Sequence, residues 1–216
     1  VNAQTSQVID AETVVARTTF FNNLAGEGGS VGGLGFFGNI GGAGGLTLAN
    51  LRFFGNIAQF AAGLGVFAEA DVPAGPVRVV NVVSFSNTSM SSAAGFSLRT
   101  NGQREITIAN TTIARNQAMS GGGLWFQTAE KKGNGRARVV NSIVWGNTGM
   151  TDPNLFTQVI FDPPEVIPLE LDATLLEGGC TPGKAVTCGS LLAGTPGFVN
   201  LDQGDLLLTV NSSLID

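Results

Sequence analysis

The chain has 216 residues, 43% of them hydrophobic and 12% charged, with 31 glycines and a formal net charge of −5. So apolar and periodic a sequence is not a disordered one, and its scattered basic residues, with Lys131-Lys132 the only adjacent pair, argue against nucleic acid as a partner. No apolar run reaches the roughly eighteen residues a membrane helix needs, and two cysteines with no histidine leave no set of metal ligands, so neither a metal nor a cofactor is expected.

Residues 1–13 are mixed and polar and suit an entry strand. Val14 to Asn23 (VVARTTFFNN) resembles a degenerate copy of a phrase that then recurs four times. The full copies are LTLANLRFFGN from Leu46, VRVVNVVSFSN from Val77, ITIANTTIARN from Ile106 and ARVVNSIVWGN from Ala137. Each is an apolar alternation running into an Asn, with a second Asn six residues later. The first set is Asn50, Asn81, Asn110 and Asn141; the second is Asn56, Asn87, Asn116 and Asn147. Spacings of 31, 29 and 31 residues, with strand-like alternation inside each copy, predict a coil of stacked strands.

A third element belongs to each copy. Gly33-Leu-Gly-Phe36 recurs as GLGV at Gly63, GFSL at Gly95 and GLWF at Gly123, each seven to ten residues after a second Asn. Three short strands per coil, separated by bends at Gly and small residues, predict an all-β chain: a right-handed parallel β-helix with coils of about 30 residues.

The alternation predicts which side chains point inward. Four and two residues before the first Asn stand Leu46 and Leu48, Val77 and Val79, Ile106 and Ile108, Ala137 and Val139, all expected in the core. Between them Thr47, Arg78, Thr107 and Arg138 form an outer stripe in which like charges do not stack at the strand spacing of about 4.8 Å. Leu34, Leu64, Phe96 and Leu124, with Phe36, Val66, Leu98 and Phe126, are expected inward from the Gly-led strands. Four residues after the first Asn, Phe54, Phe85, Ala114 and Trp145 predict a stacked column. The segments 68–75 and 128–137 read as protruding loops.

Beyond Gly149 the rhythm breaks. Four of the eight prolines fall in TDPNLFTQVIFDPPEVIPLELD, which argues against regular central strands through much of it. One domain is therefore expected: regular coils over 1–149, then irregular final coils and a cap over 150–216, which would cover the open strand edges of the last coil. Cys180 and Cys188 bracket TPGKAVT and are expected to form a disulfide, which favours an oxidising compartment.

Several phrases near the end carry a family likeness: Asn141-Ser-Ile-Val-Trp-Gly-Asn147, Thr174-Leu-Leu-Glu-Gly-Gly179, Pro196-Gly-Phe-Val199, Gly204-Asp-Leu-Leu-Leu208 and Ser213-Leu-Ile-Asp216. In this order they resemble the bacterial choice-of-anchor Q domains, close to the polymorphic outer-membrane repeats, over roughly Leu46 to Asp216. The resemblance implies a pectate-lyase-like β-helix on an exported bacterial protein, placed outside the cell or on its surface. Family members usually continue past the Ile-Asp phrase, whereas this chain stops at Asp216, and glycine replaces the acidic residue that commonly precedes the Pro-Gly-Phe phrase.

No catalytic residues are assigned. The acids are dispersed, with Glu69, Asp71 and Glu105 in loops and Asp152, Asp162, Asp172, Asp202 and Asp205 in the irregular end. No general-base His exists, and no Ser or Cys nucleophile stands in a recognisable setting. The Asn columns read as a structural ladder, because Asn tolerates left-handed bends and its amide can bond to the Asn one coil away. Asp202-Gln-Gly-Asp205 reads as a solvated turn rather than a calcium loop. Asn87-Thr-Ser, Asn110-Thr-Thr and Asn211-Ser-Ser fit the glycosylation pattern, although the match is cheap.

Trp125 is the one binding candidate, since its counterparts at the same outward position are Gly35, Gly65 and Ser97. An outward Trp can stack on a sugar or a partner protein, unless the loop 128–137 covers it. The leading expectation is a non-enzymatic, exported structural or adhesive module, adhesin-like, with its own coil ends or surface glycans as partners and filament formation as one outcome. The alternative is a carbohydrate-active β-helix, a polysaccharide lyase or glycoside hydrolase, with its site in the loops. The two separate on whether two carboxylates and a basic residue meet in one groove.

Overall fold

The computed structural model describes residues 2–4, 12–26, 29–37, 43–68 and 74–215. It is an all-β solenoid: three parallel sheets of six, seven and seven strands run along its length, with one 3-10 turn at Leu201–Gln203 the only helical piece among the described residues. The first sheet stacks Thr13–Ala16, Leu46–Ala49, Val77–Val80, Ile106–Ala109, Ala137–Val140, Leu169–Asp172 and Val186–Cys188. The second stacks Thr19–Phe21, Arg52–Phe54, Val83–Phe85, Thr112–Ala114, Ile143–Trp145, Thr174–Leu176 and Leu191–Leu192. Asn2–Gln4, Leu34–Phe37, Leu64–Ala68, Phe96–Thr100, Leu124–Thr128 and Leu155–Val159 make the third. The degenerate first phrase is therefore a real coil, its strand Thr13–Ala16 in register with Leu46–Ala49.

The predicted inward set forms the core. Leu46, Leu48, Val77, Val79, Ile106, Ile108, Ala137 and Val139 are buried in one column pair, and Leu34, Leu64, Phe96, Leu124 with their partners two residues on are buried in another. Each fully buried Leu, Ile or Phe is worth roughly 1.5–3 kcal/mol, so the solenoid is held by many equal contributions along its axis. The outer stripe runs Thr47, Arg78, Thr107, Arg138, Glu170 and Thr187, with Glu170 ion-paired to Arg138 at 3.3 Å and to Arg136 at 2.9 Å.

The column glycines are required by close approach. A Cβ on Gly63 would sit 2.4 Å from the Gly95 carbonyl, and one on Gly95 would sit 2.2 Å from that of Gly123. This is why the third-sheet strands at Leu34, Leu64, Phe96 and Leu124 are led by glycine.

The regular stacking continues past Gly149, where the prolines suggested it would fail. Leu155–Val159, Leu169–Asp172 and Thr174–Leu176 each keep register with the coil before. Pro153, Pro163, Pro164 and Pro168 all fall between these strands, so none removes a ladder hydrogen bond.

The terminal segment also differs from expectation. An antiparallel hairpin, Phe198–Asn200 with Asp205–Leu208, folds back along the outer side of the second sheet. Leu201 reaches Gly146, Asp202 pairs with Arg115, and Gly204 lies against the ring of Phe85, where a Cβ would come within 3.0 Å of it. The hairpin thus covers part of the predicted aromatic column. In that column Phe54 and Phe85 meet at 5.8 Å in a tilted pair, while Ala114 interrupts the stack before Trp145.

Candidate functional site

The two Asn sets occupy different environments. Asn50, Asn81, Asn110 and Asn141 are exposed and left-handed, with φ between 47° and 55°. They turn the chain from the first sheet to the second, a conformation Asn tolerates better than most residues. Along the column Asn81 Nδ2 donates to Asn50 Oδ1 at 3.4 Å and Asn141 Nδ2 to Asn110 Oδ1 at 2.6 Å.

Asn56, Asn87, Asn116 and Asn147 are buried, and they are not themselves the bends. The left-handed residue is the one before each: Gly55, Ser86, Arg115 and Gly146. That turn aims the Asn side chain inward. Asn56 and Asn87 each donate both backbone N–H and Nδ2 to the Oδ1 of the next Asn, at 3.0 and 2.8 Å in each case. Asn116 does the same to Asn147 at 2.9 and 3.0 Å. The second Nδ2 proton goes to a carbonyl one coil back, Phe53 for Asn87 and Ser84 for Asn116. Asn23 starts the line by donating to Asn56. Every donor and acceptor of an interior amide is thereby satisfied.

The ladder's end makes a concavity. The third sheet has no strand after Leu155–Val159, although the first and second sheets continue. There the chain at 177–185 loops out and is closed by the Cys180–Cys188 disulfide. The resulting pocket, about 460 Å³, is lined by Asn147, Asp152, Asn154, Leu155, Leu176 and Glu177, among others.

Asn154 stands where Gly123, one coil back, leads its strand, and its side chain takes the place of the next ladder Asn. It accepts from Asn147 Nδ2 at 2.9 Å and donates to Glu177 Oε2 at 3.0 Å. Glu177 Oε2 also accepts from the Gly146 N–H at 2.7 Å. The pocket brings together two carboxylates, Asp152 and Glu177, and its described lining holds no Lys or Arg.

Trp125 lies on the outward side of the third sheet, in register with Ser97 and, through it, Gly65 and Gly35. It is half-buried rather than open. Its neighbours are Gly121, whose Cβ would sit 3.2 Å from that of Trp125, and Phe156 on the next coil, edge-on at 5.7 Å. Phe156 extends this column beyond the break in the sequence rhythm, and Gln127 and Gln158, joined at 2.8 Å, flank it. The Trp125 indole N–H is buried without a described acceptor.

The other candidates disperse. Asp205 Oδ1 accepts from the Leu207 N–H, and Asp202 is taken by Arg115. Glu105 is exposed, and Asp172 accepts from the N–H groups of Ala173 and Ser190. Asn87 is fully buried, which removes its glycosylation pattern from reach, while Asn110 and Asn211 are exposed. Glu69 and Asp71 lie outside the described residues.

Arg104 was not singled out by its sequence setting. It is buried, its Nη1 donates to the Gly75 carbonyl at 3.2 Å, and burial pulls its pKa below the ordinary arginine value. Comparison with family models, with curated proteins and with solved structures gives no match.

Proposed function

We propose that this chain is a non-enzymatic, exported β-helix module with a structural or adhesive role at a bacterial surface. The observation that carries the reading is the use made of Glu177. In the pocket lined by Asp152 and Glu177, the Glu177 Oε2 accepts from the Gly146 N–H and the Asn154 amide, and so serves as the terminal acceptor of a structural ladder. A catalytic acid or base needs a proton-transfer partner in the substrate; this one already accepts two donors of the fold, a backbone N–H and an amide, at Oε2.

Export is supported by the disulfide, which persists in oxidising compartments. The phrases that resemble choice-of-anchor Q domains build one region: Thr174–Leu176 with Glu177 forms the ladder's end, and Pro196–Val199 and Gly204–Leu208 form the returning hairpin. Partner chemistry on this reading is a glycan or protein face against Trp125 and Phe156, or a second copy at the coil ends.

The alternative, a polysaccharide-cleaving enzyme, is favoured by one observation: a pocket of about 460 Å³ holding both Asp152 and Glu177. Release of reducing ends from anionic and neutral polysaccharides distinguishes the two. The structural reading expects none above a boiled control. Release that disappears in Asp152→Asn would overturn it. Glycan-array binding lost in Trp125→Ala at unchanged thermal stability supports adhesion.

A further inference from the structure

The three methionines of this chain are Met90, Met119 and Met150, and all three are exposed, at 61%, 54% and 85%. Methionine ordinarily fills irregular gaps in a core, yet here Leu, Val, Ile and Phe fill the core and no Met enters it. The three fall at the same corner of successive coils, Met119 and Met150 in register and Met90 offset by one residue. Bridges pair Thr88 with Gln117 and Gln117 with Thr148, and each Met lies two residues beyond its member of that row. The Met150 N–H donates to the Met119 carbonyl at 2.8 Å, and Met119 in turn donates to Ser91 at 2.9 Å. The line runs along the edge between the second and third sheets, beside exposed Phe60 and Ile57.

We propose that this line binds a soft monovalent cation, Cu(I), through thioether sulfur. Residues in register on adjacent coils are about 4.7–4.9 Å apart. A metal–sulfur bond is about 2.3 Å, so two sulfurs across one cation are about 4.6 Å apart. Met119 and Met150, which keep one register through both the Gln117–Thr148 and the Ser120–Thr151 bridges, therefore meet the spacing of a two-coordinate site with little displacement, and three rotatable side-chain bonds let Met90, offset by the extra residue between Thr88 and Ser92, lean in.

The donor set selects the ion. Thioethers are neutral and soft, which favours Cu(I) over Zn, Ca or Mg. Hydroxyl and amide residues flank the line at Ser91, Gln117, Ser120 and Thr148. No group of three or more Cys, Asp or Glu suited to a harder ion occurs among the described residues. The proposal is independent of the structural or adhesive reading above.

The test uses the full chain with its disulfide intact. Cu(I), kept reduced anaerobically with ascorbate, is titrated in competition with bicinchoninate, and Ag(I) binding is followed by native mass spectrometry. One equivalent of either ion is expected. Met119→Leu, which keeps the side chain's size and apolar character, should weaken binding at least ten-fold, and replacement of all three by Leu should abolish it. Far-ultraviolet circular dichroism and thermal melts of the variants establish that they remain folded. Failure of the native chain to compete for Cu(I), or equally tight binding by the folded triple variant, overturns the assignment.

Discussion

The two asparagine columns look alike in the sequence and do different work in the molecule. The outer one, Asn50 to Asn141, is used for its backbone: four left-handed bends on the surface. The inner one, Asn56 to Asn147, is used for its side chain: a closed run of buried amides, each giving and receiving from its neighbours. The same residue type thus answers a steric problem at one corner and a hydrogen-bonding problem at the next. The difference shows in what replaces Asn along each column. On the outer column Arg17 and Ala173 also take positive φ, at 53° and 42°, because stacked neighbours impose the turn whatever the residue. At the end of the inner column the substitute is Asn154, reached from a different position but supplying the same amide.

The sharpest test of this contrast is Asn116→Ala. It strips the acceptor from Asn87 N–H and Nδ2 and the donor from the Ser84 carbonyl, all buried. With each orphaned group costing about 1–3 kcal/mol, the loss should be about 3 kcal/mol or more, read by denaturant unfolding. Asn116→Gly should fare no better. If either variant loses less than about 1 kcal/mol, the inner ladder is not a major source of stability.

Next in size are the outer positions. Asn110→Ala should cost about 1 kcal/mol, because a left-handed non-Gly, non-Asn residue is penalised by roughly 1–2 kcal/mol, whereas Asn110→Gly should be close to neutral. Equal losses from the two would mean that the side chain matters here too. In the opposite direction, Ala173→Asn at the last outer bend should stabilise by up to about 1 kcal/mol in the same measurement.

The smallest effect is expected where neither column operates. Asp162 is held below the usual carboxylate range by a hydrogen bond from Lys184 and by its charge, at a fully exposed site. A depressed carboxylate contributes stability that is present above its unfolded pKa and fades as pH falls through the lowered folded value. Being exposed, it is screened by salt. Asp162→Asn should leave the unfolding midpoint at neutral pH and physiological ionic strength unchanged within error. A large shift would point to a role for that loop that its exposure does not suggest.

The coil itself was legible from residue order, because burial on one side of each strand forces period-two alternation and stacking repeats it every thirty or so residues. Asn23, Asn56 and the Gly-led strands could be placed in register from spacing alone, and Cys180 with Cys188 from their proximity. Three features escaped. Asn154 belongs to the ladder but sits seven residues from Asn147 on the same coil, so no repeat period finds it; the signal was Asn in place of the glycine before Leu155. Phe156 escaped because prolines on either side hid a strand that the ladder continues through. The methionine line lies at a corner, where apolar alternation carries no information, and only the strand pairing reveals it.

The returning hairpin has a consequence for how the molecule comes apart. In a stack of repeats each coil leans only on its neighbours, so terminal coils open first and loss spreads inward one coil at a time. Here Gly204 rests on Phe85 and Asp202 on Arg115, residues from two coils well inside the stack. Opening the last coils must therefore also release contacts in the middle. A linear array with a strap of this kind unzips less freely from that end, and amide exchange should show the final coils protected to nearly the same degree as the centre.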